Sequence, residues 1–144
     1  MKILVINGPN LNMLGIREPE VYGRETLKDI EEKLLKEAQR LAVEIYFFQS
    51  NSEGEIIDKI HDSYGKIDAI IMNPGAYSHY SIAIRDAIKS VSIKTVEVHI
   101  SNVFAREEMR TNLVTAPASL GVISGFGSYG YLMALDALAN GSVL

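Results

Sequence analysis

The chain has 144 residues, 47% of them hydrophobic, which suits one domain with a single core. Its formal net charge of −4 argues against a nucleic-acid-binding protein, and the lack of cysteine excludes disulfides, thiolate nucleophiles and cysteine metal sites. No apolar stretch approaches the roughly 18 residues of a membrane span, and no secretion signal opens the chain. We therefore expect a cytoplasmic protein that forms one domain over residues 1–144 and does not bind membranes.

Apolar strands alternate with amphipathic helices along the chain. The pattern predicts strands at 2–7, 43–48, 67–72, 94–100 and 120–124. Helices are predicted from Thr26, from Ser52, and at 78–90, 102–110 and 128–139, with a capping box formed by Ser52 and Glu55. This order predicts an α/β fold, a flavodoxin-like doubly wound five-stranded parallel sheet of order 2-1-3-4-5 with helices on both faces.

A long segment, residues 8–23, separates the first strand from the helix that begins at Thr26. Loops from strand to helix usually have about two to six residues, and much longer ones are usually functional or disordered. Disorder fits poorly, because the segment has apolar side chains that need burial: Leu11, Met13, Leu14, Ile16 and Val21. It also carries groups capable of chemistry: Asn10, Asn12, Arg17 and Tyr22. We expect the segment to be the lid of an active site.

In the predicted fold, ligands bind beyond the carboxyl ends of the strands, at the switch point between strands one and three. The long segment, residues 73–79 and residues 99–102 should meet there. Glu97 and His99 lie two apart on a strand, so their side chains share a face. A carboxylate beside an imidazole favours its protonated form, which suits a general acid. The alternative is a salt bridge at the strand end without a catalytic role.

Other polar residues are candidates for the same crevice. A tyrosine hydroxyl ordinarily ionises near pH 10, but a guanidinium nearby favours the phenolate, and Arg17 lies on the same segment as Tyr22. The alternative is an ordinary surface tyrosine. At Ser101 and Asn102 a helix is predicted to begin, where free backbone N–H groups bind anions, although either residue can be a simple N-cap.

Three further basic residues lie near this crevice. His79 lies just beyond strand three, at the crevice. Arg106 and Arg110 are four apart on one predicted helical face, where either could bind the oxygens of a polar substrate. Because Glu107 and Glu108 are their neighbours, a solvated charge cluster is the alternative.

Several classes of site lack their sequence signatures. The chain has no glycine-rich phosphate loop, no dinucleotide fingerprint and no metal-ligand spacing. Asn7 and Asn73 stand where a receiver domain would have acidic residues. Acid–base chemistry with no cofactor and no metal remains, and the alternative is a flavodoxin-like binding module without catalysis.

The last predicted helix is apolar nearly all round, with Asp136 as its only charge between Gly127 and Ala139. Such a helix is buried on more than one side, so we expect a homo-oligomer. A well-buried central helix is the alternative.

The polar motifs carry a resemblance to a known family. They are, in order, NGPNLN at 7–12, LG at 14–15, REP at 17–19, YG at 22–23, NPGAY at 73–77, RDA at 85–87, EVHISN at 97–102, AREE at 105–108 and GFG at 125–127. Together they closely resemble the type II 3-dehydroquinate dehydratases over almost the whole chain. The resemblance implies a lyase of the shikimate pathway, which leads to chorismate and the aromatic amino acids. It would convert 3-dehydroquinate to 3-dehydroshikimate by anti elimination through an enolate.

The resemblance also implies roles for individual residues. Tyr22 as phenolate would take the proton next to the ketone, with Arg17 favouring that form, and Asn10 would hold a water against the enolate oxygen. His99 would protonate the departing hydroxyl, and Glu97 would position His99.

Substrate binding is implied for a second group of residues. The substrate carboxylate would lie against the backbone amides of Ile100 and Ser101, with the Ser101 hydroxyl and Asn73 assisting. The ring hydroxyls would meet His79 and Arg110. Asp86 resembles the residue that the family lends to a neighbouring subunit's site, and the family assembles as trimers combined into dodecamers.

Two stretches depart from the family pattern. Tyr80 follows His79 where a small hydroxylated residue is expected, and TNLV at 111–114 replaces a more basic stretch. These departures leave a third interpretation open, a family member that acts on another hydroxylated cyclic acid.

Overall fold

A computed structural model describes residues 1–141 of the chain. Its strands are β1 (Lys2–Asn7), β2 (Glu44–Gln49), β3 (Ala69–Asn73), β4 (Lys94–His99) and β5 (Gly121–Ser124). They form one five-stranded parallel sheet of order β2-β1-β3-β4-β5. The predicted fold class and strand order are confirmed, and the strand bounds differ from the predicted ones by one or two residues.

Helices cover both faces of this sheet. They are α1 (Pro19–Tyr22), α2 (Leu27–Leu41), α3 (Glu53–Asp62), α4 (Ile82–Val91) and α5 (Tyr129–Ala139). Short 3-10 turns lie at Leu11–Met13, Gly75–His79, Val103–Ala105, Glu108–Thr111 and Ala116–Ala118. None of the helices within residues 1–141 has the length and apolarity needed to cross a bilayer.

Successive residues of β1 point to opposite faces and enter two separate cores. Ile3 and Val5 are fully buried against the apolar faces of α2 and α5. Leu4 and Ile6 are buried against α3 and α4. Each buried aliphatic side chain contributes about 1.5–3 kcal/mol, so both faces of the central strand hold it in place and fix where its carboxyl end lies.

The complete capping box belongs to α2 rather than α3. Thr26 Oγ1 accepts a hydrogen bond from the Asp29 amide at 3.1 Å, and Asp29 Oδ2 accepts one from the Thr26 amide at 2.9 Å. Ser52 caps α3 by accepting from the Glu55 amide at 3.3 Å. The Glu55 carboxylate, however, accepts from the Ser50 hydroxyl. The predicted box at Ser52 is therefore wrong in its second half, because Ser50 offers the carboxylate a nearer donor.

Two predicted helices differ from the observed elements. The helix predicted at 78–90 is observed as α4, which begins only at Ile82, because the Gly75–His79 turn precedes it. Ser81 is the N-cap of α4 and accepts from the Ile84 amide at 3.0 Å. The predicted helix at 102–110 is instead two 3-10 turns, Val103–Ala105 and Glu108–Thr111. Arg106 between them is extended, with φ −108° and ψ −159°, which interrupts a helical hydrogen-bond ladder.

The long segment at 8–23 folds over the ends of the strands. Leu11 and Leu14 are buried in the core beside α2 and anchor it. The prediction of burial is wrong for three other side chains of the segment, Met13, Ile16 and Val21, which are 41%, 73% and 38% exposed in this chain. Met13 lies in the Leu11–Met13 turn, Val21 in α1 and Ile16 between these two elements, and only the two leucines of the segment enter the core.

Gly8 is expected to tolerate no side chain, because the backbone just after β1 runs against the backbone just after β3. A Cβ atom at Gly8 would lie 2.5 Å from the Pro74 carbonyl oxygen, a backbone atom that cannot rotate away. We expect Gly8→Ala to lower the free energy of unfolding by about 1–3 kcal/mol, measured by urea denaturation. Gly54→Ala is the matched control, since a Cβ there meets only the Ser52 hydroxyl at 3.9 Å. Equal stability of the Gly8→Ala and wild-type proteins would contradict this packing.

Candidate active site

A pocket lies beyond the carboxyl ends of β1, β3 and β4, at the switch point of the sheet. Its lining includes nine of the residues singled out from the sequence: Asn10, Arg17, Tyr22, Asn73, His79, His99, Ile100, Ser101 and Arg110. Arg106 also lines it. The pocket therefore joins the long segment, the turn after β3 and the end of β4, as the strand order predicts.

Glu97 and His99 form a buried pair at the end of β4. His99 Nε2 lies 2.7 Å from Glu97 Oε1, and the two residues are 5% and 1% exposed. The other carboxylate oxygen, Oε2, accepts a hydrogen bond from Thr115 Oγ1 at 2.7 Å. A buried carboxylate bonded to an imidazole stabilises the imidazolium and fixes its orientation. The arrangement can therefore deliver a proton into the pocket.

The guanidinium of Arg106 holds the Tyr22 hydroxyl. The sequence had left two interpretations of Arg106, a substrate-binding group or a member of a solvated charge cluster. Arg106 Nη1 donates to the Tyr22 oxygen at 2.6 Å and lies 3.4 Å from the Ser101 hydroxyl. Arg17 instead lies over the aromatic ring, with Cζ 4.9 Å from its centroid, and pairs with Glu18 at 3.4 Å. A charged donor on a phenol oxygen stabilises the phenolate more than the phenol. The structure thus places two guanidinium groups around Tyr22, with Arg106 on the hydroxyl oxygen and Arg17 over the ring.

Backbone amides at the end of β4 offer an anion site. The carbonyls of Ile100 and Ser101 accept from the Gly127 amide at 3.0 Å and from the Ser124 hydroxyl at 3.0 Å. Within residues 1–141, the N–H groups of Ile100 and Ser101 donate to no other group of the chain. Both residues line the pocket, so these donors can meet a carboxylate there.

Asn73 is fixed by a buried hydrogen-bond network. Its Nδ2 donates to the Tyr131 hydroxyl at 2.9 Å, and its Oδ1 accepts from the Gly75 amide at 3.1 Å. Tyr131 in turn donates to Asn7 Oδ1 at 2.6 Å. Burial raises the pKa of Tyr131, although the Asn73 bond opposes this, so its hydroxyl stays protonated and serves as a donor. This network fixes the orientation of the Asn73 amide at the pocket wall.

His79 and Arg110 also line the pocket. His79 Nδ1 lies 3.0 Å from the Asn112 carbonyl, which can only accept, so Nδ1 carries the proton. Partial burial lowers the pKa of His79, although the Asn112 carbonyl opposes this shift, and a neutral ring is favoured. Its Nε2 is then an acceptor. Arg110 pairs with Glu107 at 2.6 Å and still lines the pocket.

Asn10 occupies a left-handed backbone conformation, with φ of 69°, at the base of the long segment. The backbone amide of Asn10 donates to Asn51 Oδ1 at 3.0 Å, and the same oxygen accepts from Gln49 Nε2 at 3.1 Å. Asparagine tolerates this conformation better than most residues, and the loop after β2 holds it there.

Two predicted site residues do not line the pocket: Glu97, which contacts it through His99, and Asp86, which stands apart from it. Asp86 is exposed on α4 and does not line the pocket of its own chain. Its predicted place is a neighbouring subunit's site, and that stays a prediction.

Sequence reasoning missed three residues that hold the site together: Thr115, Tyr131 and Asn51. Each lies far along the chain from its partner, and no local pattern signals such contacts. Arg106 was considered only beside the charge-cluster alternative, although it is part of the AREE motif at 105–108. In the part of the chain that the structure describes, no group of three or more His, Cys, Asp or Glu residues could hold a metal ion.

Fold and site together define a doubly wound α/β protein with an acid–base pocket at its switch point. The family model described as dehydroquinase class II matches residues 1–139, and the chain belongs to this family.

Relatives of nearly the same length support this membership. A 3-dehydroquinate dehydratase of Clostridium perfringens is 60% identical over 141 residues, covering 97% of this chain and 98% of the relative. One of Caldicellulosiruptor bescii is 62% identical over 138 residues, covering 95% of each chain. The crystal structure of a type II dehydroquinase from Butyrivibrio crossotus is 54% identical and covers 97% of each chain, with a TM-score of 0.94.

Proposed function

We propose that this protein dehydrates 3-dehydroquinate to 3-dehydroshikimate by general acid–base catalysis. The observation that carries the proposal is a single pocket in which a guanidinium holds Tyr22 and a carboxylate holds His99. Membership of the class II dehydroquinase family supports the choice of substrate. The reaction belongs to the shikimate pathway that supplies chorismate and aromatic amino acids.

Tyr22 is the proposed base. A proton next to a ketone is only weakly acidic, so its removal needs a strong base and a stabilised enolate. The phenolate is a stronger base than a carboxylate, and Arg106 donates to its oxygen at 2.6 Å. Arg17 above the ring adds a second positive charge. Asn10, at the base of the same segment, holds a water against the enolate oxygen.

His99 is the proposed acid. As the enolate collapses, the carbon–oxygen bond to the leaving hydroxyl breaks, the carbon–carbon double bond forms, and the imidazolium gives its proton to the departing oxygen. Glu97 bonds to Nε2, which leaves Nδ1 for the substrate. Tyr22 has gained one proton and His99 has lost one, so a proton returns from Tyr22 to His99 through solvent before the next turnover.

The remaining pocket groups are proposed to hold the substrate. Its carboxylate lies against the amides of Ile100 and Ser101, with Asn73 beside it. Neutral His79 accepts from one ring hydroxyl at Nε2, and Arg110 donates to another. Asp86 of an adjacent subunit completes the site in a homo-oligomer, a dodecamer built of trimers.

Side chains supply the base and the acid of this scheme, and we propose that residues 1–144 act as one catalytic domain in the cytoplasm with no cofactor. The Tyr80 departure lies outside the pocket. Tyr80 is 62% exposed and packs edge-on against the Tyr77 ring, with centroids 5.8 Å apart. The 111–114 departure meets the surroundings of the site through backbone atoms, the Asn112 carbonyl beside His79 and the Val114 amide beside Ser78. These contacts support the family's own substrate over another cyclic acid.

The test is incubation of the purified protein with 3-dehydroquinate while ultraviolet absorbance is followed. The conjugated enone of the product absorbs there, so we expect a steady rise. A protein that binds 3-dehydroquinate without any rise would instead be a binding module of flavodoxin-like fold. A faster reaction with a related hydroxylated acid would assign it that substrate.

Arg106→Gln is expected to lower kcat about 100-fold, because the phenol oxygen loses its charged donor. Glutamine keeps a hydrogen-bonding amide but not the charge. Arg40→Gln is the matched control, since Arg40 lies on α2 and pairs with Glu37 at 2.5 Å, away from the pocket. Steady-state kinetics would compare the two. Equal activity of both variants would contradict the role given to Arg106.

A further inference from the structure

Thr115 is a buried hydroxyl residue that the scheme above does not use. It is 0% exposed and lies just before the Ala116–Ala118 turn. Its Oγ1 donates to Glu97 Oε2 at 2.7 Å. Thr115 does not line the pocket, so it cannot act on a substrate directly.

The hydroxyl completes the surroundings of the Glu97 carboxylate. One oxygen faces His99 Nε2 at 2.7 Å, and the other accepts from Thr115. With both oxygens held, the carboxylate cannot rotate about its own axis, and the oxygen that faces the imidazole stays in place. A donor to a carboxylate also favours its charged form, and that charge is what stabilises the imidazolium.

Thr115 is itself held in place by contacts of the residues that precede it, 112–114. The Val114 amide donates to the Ser78 carbonyl at 2.6 Å, and the Asn112 carbonyl accepts from His79 Nδ1 at 3.0 Å. The rings of His79 and His99 stack with centroids 6.4 Å apart. Residues 112–115 therefore contact His79 directly, through the Asn112 carbonyl, and His99 indirectly, through the bond from Thr115 to Glu97.

We propose that Thr115 is a positioning residue for the acid, acting through Glu97 to hold the His99 imidazole ready to protonate the leaving hydroxyl. This rests on the proposed function, in which His99 is the acid. The protonation step then depends on Thr115, whereas substrate binding does not.

The test compares Thr115→Ser with Thr115→Ala, because these variants differ only by the hydroxyl. Thr115→Ser is expected to keep kcat within about threefold of the wild type, and Thr115→Ala to lower it about 10- to 100-fold. The KM should change little in both, since no substrate contact is lost. If Thr115→Ala does not fold, Thr115→Val keeps the volume of the side chain and replaces it in the comparison.

Thr95 provides the control for a structural effect alone. It lies on β4, is 1% exposed, and its Oγ1 donates to the Ile93 carbonyl at 3.0 Å. Thr95→Ala should lower the thermal midpoint as Thr115→Ala does but leave kcat near the wild-type value. The proposal is overturned if Thr115→Ala keeps wild-type kcat, if serine rescues no better than alanine, or if Thr95→Ala loses as much. An inactive wild type would instead overturn the proposed function.

Discussion

Tyr22→Phe is expected to lower kcat by about 10³- to 10⁴-fold while the substrate still binds. Phenylalanine keeps the ring over which Arg17 lies at 4.9 Å and removes only the oxygen that Arg106 contacts at 2.6 Å. The substrate contacts proposed for Ile100 and Ser101 are untouched. Steady-state kinetics would give kcat, and equilibrium binding of 3-dehydroquinate to the slow variant would give the affinity.

Tyr46→Phe is the matched control for this variant. Tyr46 lies on β2, is 44% exposed, and donates to Glu44 at 2.7 Å, with no part in the pocket. It should keep full activity. Tyr22 would be a bystander if its phenylalanine variant retained most of the wild-type rate.

His99→Ala is expected to lower the rate of dehydration by about 10²- to 10⁴-fold, because the leaving hydroxyl loses its proton donor. Proton abstraction by Tyr22 should persist, since the Arg106 contact does not involve His99. The variant should therefore exchange the substrate's proton next to the ketone with deuterium oxide faster than it forms the enone. Proton magnetic resonance would follow the exchange, and absorbance would follow the elimination.

His61→Ala is the control for His99→Ala, because His61 is exposed on α3 and does not line the pocket. It should leave both processes unchanged. A His99→Ala protein that dehydrated its substrate at the wild-type rate would refute the acid role. Loss of exchange together with elimination would show that His99 is needed before the leaving group departs.

The sheet could be predicted from the sequence because its buried strands are short apolar runs and the helices between them have periodic apolar positions. Ile3, Leu4, Val5 and Ile6 are all buried, which is the apolar run of a strand covered on both faces. The strand order then predicted the crevice, and the two-residue spacing of Glu97 and His99 predicted that their side chains share one face at its edge. Local periodicity and topology were enough for these features.

The turns around the site could not be predicted in the same way. Residues 102–110 have helix-forming composition, but Arg106 leaves the helical conformation and reaches the Tyr22 hydroxyl, 84 positions earlier in the chain. In the sequence Tyr131 is one residue of an apolar helix, yet its hydroxyl donates to Asn7 Oδ1, 124 positions earlier in the chain. Such contacts depend on the packed fold rather than on neighbours in sequence. This is why the supports of the site emerged only from the structure.

The central claim is that two residues on different elements divide the work, Tyr22 on the long segment as base and His99 at the end of β4 as acid. The most direct test uses substrate in which deuterium replaces only one of the two hydrogens on the methylene carbon between the ketone and the carbon that bears the departing hydroxyl. In the proposed scheme base and acid approach from different sides, so we predict loss of the label that lies anti to the departing hydroxyl and retention of the other. Loss of the syn label would contradict the account, since one group on one side would then serve both steps.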